Sequence, residues 1–198
     1  MNGFKHVAVL LADGFEEAEA VVFIDIMRRL DIKVDVLSCM ATTKLSTYFG
    51  TRIEADALLD EKVDFLYDAI MMPGGPKGTD NLFGSLYVHK FITNHIANNK
   101  LICALCSSGA KVLAAHNLLQ HHQYTCGSGL EKKFSDGAYV DKKVVVDGQF
   151  ITGKGLGVSF EFAFTVAHHL LSDNQAKVDW QAQHIYFEHW PLSELDNG

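Results

Sequence analysis

The chain has 198 residues, a formal net charge of −7 and a hydrophobic content of 48%. That length suits a single domain with a sizeable core, expected over residues 1–191 with a frayed tail over 192–198. The acidic balance argues against nucleic acid as a main partner, because phosphate binding needs a basic face. No apolar run is long enough to cross a bilayer, so no membrane partner is expected. The first residues flow into a strand without a signal-peptide cleavage pattern, which predicts a cytoplasmic protein.

In chain order, residues 4–12 form an apolar run that predicts a buried strand before Asp13-Gly14. Asp13 and Glu16 have capping-box spacing, and residues 16–30 carry helical periodicity through Ala20, Phe23, Ile24, Met27 and Leu30. Residues 32–38 predict a second strand, and residues 42–57 a hairpin around Gly50. Residues 67–72 predict a third long strand, closed by Pro73-Gly74-Gly75-Pro76. A helix over 85–98, a strand over 101–105 and a helix from Cys106 to about His116 follow. Residues 143–152 predict a hairpin around Asp147-Gly148, residues 153–157 a turn, and residues 159–171 a helix. Another helix and a short aromatic end follow within residues 173–190. Strands alternating with helices define a doubly wound α/β fold with a mostly parallel sheet. Sites in such folds form at the carboxyl ends of strands. Residues 13–19, 73–78 and 106–109 are turns at three such ends.

Four cysteines are present, at 39, 103, 106 and 126, and structural disulfides are not expected in the cytosol. Cys39 and Cys103 read as small core residues. Cys103 and Cys106 have C-x-x-C spacing. A thioredoxin-like dithiol is disfavoured, because Cys103 falls inside the strand and no proline lies between Pro76 and Pro191. Cys106 ends the strand and opens a helix. The first amides of a helix favour an anion, which predicts a lowered thiol pKa and a nucleophile. The Gly75 and Ser107 amides are candidates for an oxyanion hole, with Gly74 beside them. Glu16 and Glu17 suit a helix N-terminus by charge alone. Glu19, directed at the thiol, would have a raised pKa and act as a general acid/base. No histidine has metal-ligand spacing, so no metal is expected.

Taken together these segments are similar to the ThiJ/PfpI superfamily, in particular its DJ-one (Parkinson-associated protein) branch and bacterial relatives. The likeness rests on residues 12–20, 25–34, 67–75, the Cys106 turn and residues 155–163. It implies a flavodoxin-like fold, a homodimer, contact between Glu19 and the Cys106 sulfur, and oxyanion amides from Gly75 and Ser107. It further implies cofactor-free conversion of small aldehydes or dicarbonyls such as methylglyoxal to hydroxy acids. Deglycase activity, oxidative-stress sensing through the cysteine sulfinate, chaperone action and, in the PfpI branch, peptidase activity are the alternatives. Ser107 stands where the PfpI peptidases carry histidine, which weakens that last reading. Cys126 matches the position of a pocket histidine, so His121 or His122 is a candidate substitute and Cys126 a candidate resolving thiol. Arg29 matches an arginine that approaches the pocket across the dimer. Near Phe49 the resemblance loses a second arginine.

Overall fold

The computed structural model describes residues 4–188 and residue 190, so the tail expected over 192–198 lies outside the described residues. The strands are β1 (His6–Leu11), β2 (Lys33–Ser38), β3 (Lys44–Ser46), β4 (Arg52–Glu54), β5 (Ala57–Leu58), β6 (Ala69–Met72) and β7 (Leu101–Leu105). They continue with β8 (Gln123–Tyr124), β9 (Ala138–Tyr139), β10 (Val144–Asp147) and β11 (Phe150–Gly153). The helices are α1 (Glu17–Arg29), α2 (Pro76–Gly84), α3 (Leu86–Ala97), α4 (Ser159–Leu170) and α5 (Gln175–His184).

Seven strands form one sheet in the order β10-β11-β7-β6-β1-β2-β5. Every neighbouring pair is parallel except the β10–β11 hairpin. The chain leaves β1 for β2 on one side and returns to place β6 on the other. The strand order therefore reverses at β1, where doubly wound sheets form their sites. The composition of β1 follows from its place in the middle. Val7, Val9 and Leu11 enter one core with Phe23, Ile26 and Met27 of α1 and Phe162, Phe164 and Val166 of α4. Ala8 and Leu10 enter the other with Val88, Phe91 and Ile92 of α3. A strand buried on both faces reads as a continuous apolar run rather than an alternation. Each large aliphatic side chain removed from water contributes about 1.5–3 kcal/mol.

Three local expectations are corrected. Asp13 does not cap α1; its Oδ1 accepts the Ser46 amide at 2.9 Å and ties down the β3–β4 hairpin. The cap position falls on Glu16, whose amide donates to Gly74 O at 2.9 Å. Residues 76–84, unassigned from the sequence, form α2 with Pro76 in its first turn, where a missing N–H costs nothing. The segment after Cys106 is not a uniform α-helix: it widens into a π-helical stretch at Gly109–Leu113 and tightens to a 3-10 turn at Ala114–His116. Such widenings are frequent at functional sites. Ser85 caps α3 through its side chain, which accepts the Val88 amide. No helix of the described residues is long and apolar enough to cross a membrane.

Candidate active site

β7 carries four consecutive buried residues, Ile102 to Leu105, and then turns sharply at Cys106, which has φ +59°. That left-handed conformation costs a non-glycine residue roughly 1–2 kcal/mol, so surrounding structure has to impose it. Two backbone hydrogen bonds do so: the Cys106 amide donates to Gly153 O at 2.9 Å, and the Gly127 amide donates to Cys106 O at 3.1 Å. Side chains tie the turn to the end of β6. Ser108 Oγ donates to Pro73 O at 2.5 Å. Ser107 Oγ donates to Thr79 Oγ1 at 3.3 Å, and Thr79 Oγ1 donates to Gly75 O at 2.9 Å.

Glu19 lies in the first turn of α1 and is 1% exposed. Its Oε2 accepts the Gly74 amide at 2.7 Å. Its Oε1 is buried and meets no nitrogen or oxygen partner among the described residues. The thiol of Cys106 also hydrogen-bonds with this carboxyl, and the Glu16 charge acts on it from the start of α1. A Cβ on Gly74 would sit 2.9 Å from Glu19 Oε2 and 3.0 Å from Cys106 Sγ, so the close approach of the two groups requires glycine there. Gly75 has φ +99°, and a Cβ on it would lie 2.3 Å from Gly14 O.

The electrostatics match the sequence expectation at Glu19 and depart from it at Cys106. Burial pushes Glu19 up to about 7, against the pull of the Gly74 amide and the thiol. The Cys106 thiol is also raised, to about 12, rather than lowered. Burial is the main cause, the Glu19 charge and hydrogen bond add to it, and the Ser107 amide opposes it. A helix N-terminus does attract the thiolate here, but desolvation and a neighbouring carboxylate outweigh it. Glu19 and Cys106 form one coupled pair, in which negative charge on either group raises the proton affinity of the other. Neutralising Glu19 removes the charge repulsion between the two groups.

The remaining residues divide clearly. Gly75 is the residue before α2, packed against Gly14 and Glu16, and Ser107 opens the helical segment after Cys106 with its amide hydrogen-bonding the thiol. Cys126 is fully buried, its thiol directed at Gly127 O at 3.5 Å and raised to about 11 by burial and by Glu131. All four cysteines are free. His121 and His122 do not replace a pocket imidazole. A Cβ on Gly148, in the β10–β11 turn, would be 3.1 Å from His122 Cε1. That turn precedes Phe150, which pairs with Ile102 at the beginning of β7, whereas Cys106 follows its end. Arg29 is also remote within its own chain. It ends α1, ten residues beyond Glu19, and its Nε donates to Asp25 Oδ2 at 2.6 Å. At a rise of about 1.5 Å per residue the two positions are about 15 Å apart along the helix. Sequence reasoning misses Gly127 and Gly155, yet a Cβ on either would lie 3.7 Å from Cys106 Sγ. No group of three or more histidine, cysteine or carboxylate side chains among the described residues is arranged to hold a metal ion.

A cysteine on a strained strand-to-helix turn, backed by a buried carboxyl in a doubly wound sheet, defines a class of thiol-centred α/β proteins. The chain belongs to the DJ-1/PfpI family, whose profile matches residues 5–169. It is 33% identical over 171 residues to the Parkinson disease protein 7 homolog of Danio rerio, covering 84% of this chain and 90% of that protein. It is 33% identical over 165 residues to protein DJ-1 homolog B of Arabidopsis thaliana, covering 83% of this chain but only 38% of the plant protein. Identity to the glutathione-independent glyoxalase DJR-1.2 of Caenorhabditis elegans is 31% over 173 residues, covering 86% of this chain and 91% of the relative. Among solved structures, a mutant of a DJ-1 superfamily protein from Salmonella typhimurium superposes with a TM-score of 0.91 at 48% identity, covering 92% of this chain and 98% of that one.

Proposed function

We propose that this protein converts small dicarbonyls such as methylglyoxal to hydroxy acids with Cys106 as nucleophile and no cofactor. The observation that carries this reading is the buried Glu19 carboxyl, raised to about 7, against the half-buried Cys106 thiol. The nematode relative's name as a glutathione-independent glyoxalase supports the same class of reaction.

The sulfur adds to the aldehyde carbon, and the proton released from the pair ends on the new oxygen, giving a hemithioacetal. The Gly75 and Ser107 amides stabilise the oxygen while it is charged. Glu19 takes the hydrogen of the former aldehyde carbon as a proton and returns it to the neighbouring carbon. The first carbon is thereby oxidised to a thioester and the ketone reduced to a hydroxyl, so electrons balance within the substrate. Water then cleaves the thioester, releasing the hydroxy acid and restoring the thiol. A base near neutrality suits this proton traffic, and positioned acid–base groups contribute about 10²- to 10⁴-fold. Lactate formed from methylglyoxal by wild type and Cys106→Ala tests the proposal. Loss of turnover in the variant is expected, and equal rates overturn it.

A second reading uses the same pair. Cys106 and Cys39 are partly accessible while Cys103 and Cys126 are fully buried, and of the two accessible thiols Cys106 is the one with a carboxyl against its sulfur, so mild peroxide would oxidise Cys106 to a sulfinate that Glu19 holds. Mass spectrometry after peroxide treatment checks it; a reduced Cys106 beside oxidised neighbours sinks it. In both readings the protein works in the cytoplasm as a homodimer, with Arg29 approaching the pocket of the second copy. Two copies in sedimentation equilibrium are the expected result.

A further inference from the structure

We infer that Gly127 and Gly155 are specificity-determining residues that hold open the space for the carbon substituent of the molecule bound to Cys106. The inference rests on the glyoxalase reading for its substrate, but not for its geometry. β7 lies between β6 and β11 in the sheet, so the sulfur is flanked on one side by the turn after β6 and on the other by the turn after β11. The β6 side is filled. Glu19 and Gly74 stand there, and a Cβ on Gly74 would be 2.6 Å from Cys106 Cβ. Glycine is obligatory at that point.

The other side is different. A Cβ on Gly155 would meet only Cys106 within 4 Å, with Sγ at 3.7 Å and Cβ at 4.0 Å. Its φ of 161° is extended backbone that other residues adopt. A Cβ on Gly127 would stand 3.4 Å from Leu130 Cδ1 and 3.7 Å from Sγ, both ordinary contacts, and its φ is not in the left-handed range. Neither glycine is therefore required by its own backbone or by packing. What each leaves vacant is a methyl-sized volume in contact with the reacting sulfur. With the oxyanion donors at Gly75 and Ser107 and the proton carrier at Glu19, the vacant side is where the rest of an adduct extends. A substrate carrying more than a hydrogen on its second carbonyl needs that volume.

The test compares kcat/KM for phenylglyoxal and glyoxal in wild type, Gly127→Ala and Gly155→Ala, with Gly157→Ala as control. A Cβ on Gly157 would meet nothing within 4 Å, the Cys106 sulfur included. The phenylglyoxal-to-glyoxal ratio is expected to fall about 10- to 200-fold in the two wall variants, the range for a methylene-sized misfit. A ratio within about twofold of wild type in both overturns the inference, since that is well below the misfit range. If wild type turns over neither compound, the glyoxalase reading fails on its own. The wall is then decided by alkylation of Cys106 with iodoacetamide and its N-phenyl analogue, followed by peptide mass spectrometry. A fallen ratio of bulky to small reagent in the variants supports the wall, and an unchanged ratio overturns it. The two glycines occupy separate loops, so misfolding of one variant leaves the other as the test.

Discussion

On the β6 side of Cys106, Gly74 and Gly75 admit no side chain: added Cβ atoms would fall 2.6 Å from Cys106 Cβ and 2.3 Å from Gly14 O. On the far side, Gly127 and Gly155 admit one, with nearest contacts of 3.4 Å and 3.7 Å. The first pair of glycines is needed to assemble the site, because backbone, carboxylate and thiol converge there. The second pair is needed only by whatever enters. Glycine in a pocket thus carries two different meanings, and the distance to the nearest fixed atom separates them.

The sharpest way to test the filled side is Glu19→Gln. It keeps the shape and an oxygen for the Gly74 amide but removes the titrating proton. Turnover of methylglyoxal should fall by about 10²- to 10⁴-fold, the usual contribution of a positioned acid–base group. Near-wild-type turnover would show that the carboxyl serves packing alone.

The same variant isolates a pH effect on stability. Glu19 is raised from 4.5 to about 7 on folding, so the folded state holds its proton more tightly than the unfolded state. The resulting stabilisation is fully present below pH 4.5 and is lost as pH rises through about 7. It amounts to about 3 kcal/mol at most. Urea unfolding from pH 4.5 to 8 should show this loss in wild type, and Glu19→Gln should remove that contribution.

Smaller effects separate the two flanks directly. Gly75→Ala should destabilise by about 2–3 kcal/mol, through strain at φ +99° and collision with Gly14 O. Gly127→Ala should change stability by less than about 1 kcal/mol, since alanine restricts the unfolded chain and its methyl meets no clash. Comparable losses in the two would erase the distinction. Cys126→Ala tests the buried thiol next to Gly127. The expected cost is about 1 kcal/mol, for a small buried side chain removed, with no new disulfide chemistry at Cys106.

Much of the fold was legible because its signals are local. The apolar run of residues 4–12, the helical stretch over 85–98 and the hairpin turn at Asp147-Gly148 each specify their element within a few residues. Asp13 misled for a tertiary reason: its carboxylate serves a distant amide, Ser46, in preference to its own helix. Helix α2 was hidden by a glycine-rich start, although Pro76 marked its first turn.

The sequence by itself determined the doubly wound order of elements, the position of Cys106 on a strand-to-helix turn and the carboxylates near the start of α1. Periodicity, turn residues and spacing are properties of neighbouring positions, and they act before the chain is packed. Tertiary structure decided that the thiol is raised rather than lowered, and that His122 and Arg29 stand apart from the pocket of their own chain. Burial and the convergence of β1, β6, β7 and β11 set those outcomes. Desolvation depends on every atom that excludes water from a site, and no short stretch of sequence contains that information.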